Sequence, residues 1–116
     1  MSPNEIRKIA TPLPGVTEEL LWGDNLVFKA GGKMFLVTGL EGDLRFSIAV
    51  ANRDFLALTE VPGIIPAPYL AKSGWVQVHP RECALSKPAL KKLIRQSYDL
   101  IFAKLSKKRQ RELGGS

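Results

Sequence analysis

The stretch Val61–Val78, VPGIIPAPYLAKSGWVQV, decides how the chain is organised. It holds three of the eight prolines, Pro62, Pro66 and Pro68, then leads through Tyr69, Leu70 and Lys72 to a short apolar run carrying Trp75. Pro62-Gly63 stops the helix that precedes it. Pro66 and Pro68 restrict the backbone and lack N–H donors, so this part is extended and does not belong in the middle of a sheet. Beyond Gly74, alternation sends Trp75, Gln77 and His79 to one side and Val76 and Val78 to the other, until Pro80 ends the strand. The whole stretch reads as a rigid bend from a middle helix into the last strand of an antiparallel sheet.

Downstream lies the longest element. Ser86 is placed to cap a helix, with Pro88 tolerated in its first turn. Leu90, Ile94, Ser97, Ile101 and Leu105 form one stripe, widened by Leu93, Tyr98, Leu100 and Phe102, while Lys91, Lys92, Arg95, Asp99 and Lys104 lie outside it. The spacing predicts one helix over about 87–105. Residues 110–116, ending in Gly114-Gly115-Ser116, read as a disordered tail beyond a single domain spanning 1–109.

Upstream, Asn4 is a candidate cap for a short helix to Ala10, closed by Pro12 and Pro14. Thr17–Trp22, with Glu18 and Glu19 beside a Thr17 cap, suggests another helical turn. Leu26–Thr38 is the clearest hairpin: LVF and MFLVT flank Gly31-Gly32, which supply the positive φ of a tight connection. Glu41-Gly42-Asp43 marks a second turn, and Leu44, Phe46, Ile48 and Val50 alternate with polar or small residues as a strand. Asn52 is placed to cap a helix reaching about Glu60.

At 116 residues the chain is the size of one domain. One cysteine, Cys83, excludes an internal disulfide and fits a reducing compartment. No apolar run approaches the roughly 20 residues of a membrane span, and the N-terminus lacks a signal-peptide pattern. The expectation is a cytoplasmic protein without a membrane partner. Its charge is uneven: residues 1–86 hold eight Lys/Arg against nine Asp/Glu, and residues 87–116 hold nine against two. Such a basic end attracts nucleic acid, anionic lipid or an acidic partner, or serves only as a solubilising face.

Catalytic signals are sparse. Gly31-Gly32 joins two strands and lacks the spacings of a phosphate loop, and no dinucleotide, flavin or iron–sulfur motif is present, so no cofactor is expected. His79 and Cys83 are each unique. Pro80 lies between them, no orienting carboxylate is identifiable, and they form no spaced metal-ligand set. The expectation is a protein that is not an enzyme.

Several motifs together point to a family. They are Leu13-Pro14-Gly15-Val16, Phe28-Lys29-Ala30-Gly31-Gly32-Lys33-Met34-Phe35 and Val61-Pro62-Gly63-Ile64-Ile65-Pro66. Tyr69-Leu70-Ala71-Lys72, Gly74-Trp75-Val76, Ile94-Arg95-Gln96-Ser97-Tyr98-Asp99-Leu100 and Ala103-Lys104-Leu105 continue the series. In order and spacing, over roughly residues 4–109, the chain resembles the MmcQ/YjbR family of small, mostly uncharacterised bacterial proteins. It departs at Pro12, where relatives tend to continue apolar, and at Gly74, where many carry a histidine, so a role for that histidine does not transfer. The resemblance implies an α+β fold of double-wing, frataxin-like type: an antiparallel sheet with packed helices and projecting hairpins. DNA binding has been suggested for that shape, by fold analogy.

On these grounds the candidate nucleic-acid-binding residues are Lys29 and Lys33 at the hairpin, Lys72 beside Trp75, and Lys107, Lys108, Arg109 and Arg111. All would contact phosphates of duplex DNA. The alternative is a protein-interaction or regulatory module, with Tyr69 and Trp75 as interface anchors.

Overall fold

A computed structural model describes residues 2–21, 25–39, 45–68 and 70–114. Eleven segments, one of them a single 3-10 turn, follow one another among these residues. Helix α1 (Pro3–Ala10) is followed by strands β1 (Val16–Leu21), β2 (Asn25–Ala30), β3 (Lys33–Gly39) and β4 (Phe46–Ala49). Then come α2 (Asn52–Thr59), β5 (Ile64–Pro66), a 3-10 turn at Ala71–Ser73, β6 (Trp75–Val78), α3 (Lys87–Phe102) and α4 (Lys107–Glu112). The six strands form one antiparallel sheet in the order β1-β2-β3-β4-β6-β5. The result is an α+β fold with helices packed on an antiparallel sheet and a long helix near the C-terminus.

Local chemistry explains most boundaries. The cap of α1 is Ser2, not Asn4: its hydroxyl accepts from Glu5 N while the Glu5 carboxylate accepts from Ser2 N, with Pro3 in the first turn. Glu5 also pairs with Lys87 at 3.1 Å. That hydrogen bond, with the one from Ser2, lowers its carboxyl pKa below the usual value. Of the helical turn expected over Thr17–Trp22, Trp22 lies outside the described residues and Thr17–Leu21 is not helical. It forms edge strand β1, with Glu18 opposite Phe28 and Glu19 opposite Val27. Helix α2 starts after Ala51 with no side-chain cap, so Asn52 lies inside the helix.

The proline-rich stretch supplies an edge. β5 pairs only with β6, Ile64 opposite Val78 and Pro66 opposite Val76, so the missing N–H groups leave no gap in the sheet interior. Gly63, at φ +88°, lies so close to the chain at Glu82–Cys83 that a Cβ there would come within 2.5 Å of Cys83 backbone. His79 N–H donates to Gly63 O at 2.8 Å and Ala84 N–H to Pro62 O at 3.3 Å, tying both ends of the bend together.

The core lies between the sheet and α1 and α3. Phe28, Phe35, Leu36, Phe46, Ile48, Val76 and Val78 from the strands meet Ile6, Leu90, Ile94 and Tyr98 from the helices, all buried. A bulge shifts the β2–β3 register between Phe28↔Leu36 and Lys29↔Met34, leaving Phe35 without a direct partner. Beside it the β3–β4 pairing stops at Leu36↔Ile48. Ser97, fully buried on α3, fills the break: its hydroxyl donates to Phe35 O at 2.7 Å and accepts from Ala49 N–H at 3.0 Å. Tyr98 packs edge-on against Phe35 and donates its hydroxyl to Pro14 O at 2.6 Å. Burial of the Tyr98 phenol raises its pKa. The Cα radius of gyration, 13.5 Å, is that of one domain of this length.

Candidate nucleic-acid interface

The β2–β3 hairpin turns through Gly31-Gly32, at φ 57° and 87°. Two consecutive positive φ angles are what a tight two-residue connection between right-twisted strands requires. Gly31 has a second reason to lack a side chain. A Cβ there would lie 2.7 Å from Leu105 and 2.9 Å from Leu113. Leu113 also lies over Gly15, whose carbonyl accepts from Gly31 N–H at 3.1 Å. The chain after α3 therefore folds back onto the hairpin turn.

Helix α4 is the part held there. After α3 ends, Ser106 restarts the helix by accepting from Arg109 N–H at 3.1 Å, and Gln110 Nε2 donates back to Leu105 O at 2.9 Å. Leu105 and Leu113 thus bracket the six residues KKRQRE and fix them against Gly31. Residues 110–112, expected as tail, are helical, and Leu113 is packed; Gly115 and Ser116 lie outside the described residues.

This brings most of the sequence-predicted cations to one end of the molecule. Lys33 follows the Gly31-Gly32 turn and is exposed, as are Lys107, Lys108, Arg109 and Arg111. Lys29 is half-buried and pairs with Glu19 at 3.1 Å, and Arg109 pairs with Glu112 at 3.4 Å. Lys33, Lys72, Lys107, Lys108 and Arg111 form no ion pair among the described residues. Lys72 sits in the 3-10 turn. Leu36, Ile48 and Val76 share one row of the sheet, so Lys33 on β3 and Ser73 before β6 extend past the same end. β4 separates β3 from β6, which displaces Lys72 by about 10 Å of sheet from the hairpin.

The proposed aromatic anchors fare differently. Trp75 is 5% exposed and belongs to the core, so its indole is not available as an interface anchor. Its strand runs between β4 and β5 and is paired along both edges. Tyr69 lies outside the described residues. His79 Nε2 lies 2.9 Å from Gln77 Oε1, and Cys83 is half-buried against Gly63. Among the described residues no three His, Cys, Asp or Glu side chains cluster as metal ligands, and no helix is long and apolar enough to cross a membrane. Sequence reasoning missed the docking of Leu105 and Leu113; the flanking of KKRQRE by leucines was the available signal.

The family model described as YjbR matches residues 11–100. The chain belongs to the MmcQ/YjbR family. No curated protein matches it in sequence. Among solved structures, this MmcQ/YjbR protein is similar to a Deinococcus radiodurans protein carrying the family-model domain DUF419. The TM-score is 0.86 and the identity 28%, over 99% of this chain and 94% of the other. A Pseudomonas syringae protein shares the fold with a TM-score of 0.70 at 21% identity, over 87% of this chain and 99% of its own.

Proposed function

We propose that this MmcQ/YjbR protein is a non-catalytic module that binds duplex DNA through the end formed by the hairpin turn and α4. The observation that carries the reading is the seating of Leu113 on Gly15 and Gly31, which holds α4 against the hairpin that bears Lys33. Cations on a fixed scaffold bind phosphates with less ordering cost than cations on a free tail. Lys33, Lys107, Lys108 and Arg111 contact the backbone, and Lys72 extends the track at the same end of the sheet. Contacts of this type give affinity with little sequence preference. Of the two anchors of the protein-docking alternative, Tyr69 and Trp75, the second is buried in the core.

The test is the affinity for a short duplex, read by fluorescence anisotropy across a salt series. Three to five phosphate contacts give a slope of log K against log salt of about −3 to −4.5. No binding at low salt, or binding indifferent to salt, overturns the proposal.

A further inference from the structure

The other face of the sheet carries a different kind of site. On the side facing away from Phe46 and Ile48, a concave surface of about 460 Å³ is lined by Val37, Arg45, Ser47, Pro68, Leu70 and Gln77. Its volume falls in the range of small-molecule sites. The floor is one row of the sheet: Val37, Ser47 and Gln77 are direct cross-strand neighbours. Arg45 stands two residues before Ser47, and its carbonyl is held by the Thr38 hydroxyl at 3.1 Å. Pro68 and Leu70, from the proline-rich bend, add apolar wall.

The polar groups here are not consumed by the fold. The Ser47 hydroxyl bonds to no group among the described residues, and because no buried side-chain polar atom there lacks a partner, it opens onto the concave surface and not into the core. The Gln77 side-chain oxygen faces His79 Nε2, which leaves the Gln77 amide nitrogen with no partner among the described residues. The Arg45 guanidinium is exposed and makes no ion pair among the described residues. Among the described residues that line the surface there is no Asp or Glu. A planar fork of donors, a hydroxyl and an amide around an apolar wall match a carboxylate with a short hydrocarbon body.

We propose that this concave face binds a small organic carboxylate, its anion held by Arg45 with Ser47 and Gln77, its apolar part against Val37, Pro68 and Leu70. Its anion-holding groups lie on a face of the sheet apart from the hairpin turn and α4, and the site requires no nucleic acid.

The test uses hexanoate and benzoate as probes on the full chain, with hexanamide and benzamide as uncharged controls. Backbone amide shifts are followed by two-dimensional NMR. The expected result is saturable, millimolar-range shifts centred on Arg45, Ser47 and Gln77 with the carboxylates and not with the amides. Arg45→Gln weakens binding about tenfold or more, and Ser47→Ala by about two- to tenfold, both with an unchanged fold by circular dichroism. Equal shifts with the amides overturn the assignment. So do shifts centred on Lys33 and α4, which report an anion at the basic end, and so does the absence of saturable shifts with either carboxylate.

Discussion

Ser97 shows how one hydroxyl determines whether two strands and a helix fit together. It stands in the apolar stripe of α3, between Ile94 and Ile101, where a leucine would look more natural. Its two hydrogen bonds satisfy Phe35 O, freed by the bulge, and Ala49 N–H, just past the end of the β3–β4 ladder. Ser97→Ala orphans both, each at about 1–3 kcal/mol, and a denaturant titration should show a lower midpoint with an unchanged slope. Tyr98 is the second such residue. Its folded pKa is raised by burial, so its contribution is complete below the unfolded tyrosine pKa and lost as pH rises through the folded one. Tyr98→Phe should cost about 0.5–1.5 kcal/mol at neutral pH through the lost bond to Pro14. It should also flatten the fall in thermal midpoint above about pH 10. Neither role was legible in the sequence. A serine in an apolar stripe is visible there, but its partners lie 48 and 62 residues away.

At the scale of elements, legibility followed how local each signal was. The hairpin around Gly31-Gly32, the capping of α3 by Ser86 and the edge position of the proline-rich segment rest on neighbouring residues, and the structure has all three. β1 was misread because TEELL has an acidic helix-start pattern, and local propensity lost to pairing with β2. There Lys29 and Arg7 pair with Glu19 and Glu18 at 3.1 and 2.8 Å. The break between α3 and α4 was missed because the periodicity continues to Leu105, while Ser106 caps a separate helix. Gly31 is the hinge of this arrangement. Gly31→Ala should destabilise the protein by more than about 1 kcal/mol, from positive φ and from the clash with Leu105 together. Hydrogen exchange should show the amides of α4 losing protection in that variant. An α4 as protected as in the parent would contradict the packing described here.

Across the whole molecule, an end and a face of the sheet differ in chemistry. The end carries the hairpin turn and α4 with their exposed cations; the face carries the concave surface around Arg45, Ser47 and Gln77. The charge asymmetry was plain in the sequence, because nine of the chain's seventeen Lys and Arg lie within 87–116. Its placement was not, since only the contact of Leu113 with Gly15 and Gly31 turns a charged stretch into a surface. The concave face gave no sequence signal, because Ser47 and Gln77 are ordinary outward positions until the register sets them side by side. The proposed DNA binding depends on the placement of the basic end beyond charge alone. The direct measurement is the salt dependence of duplex binding for Leu113→Gln beside the parent chain. The variant keeps every cation and loosens only their seating. Leu113→Gln should bind more weakly and with a shallower slope; identical affinity and slope for the two proteins would contradict the proposed role of this seating.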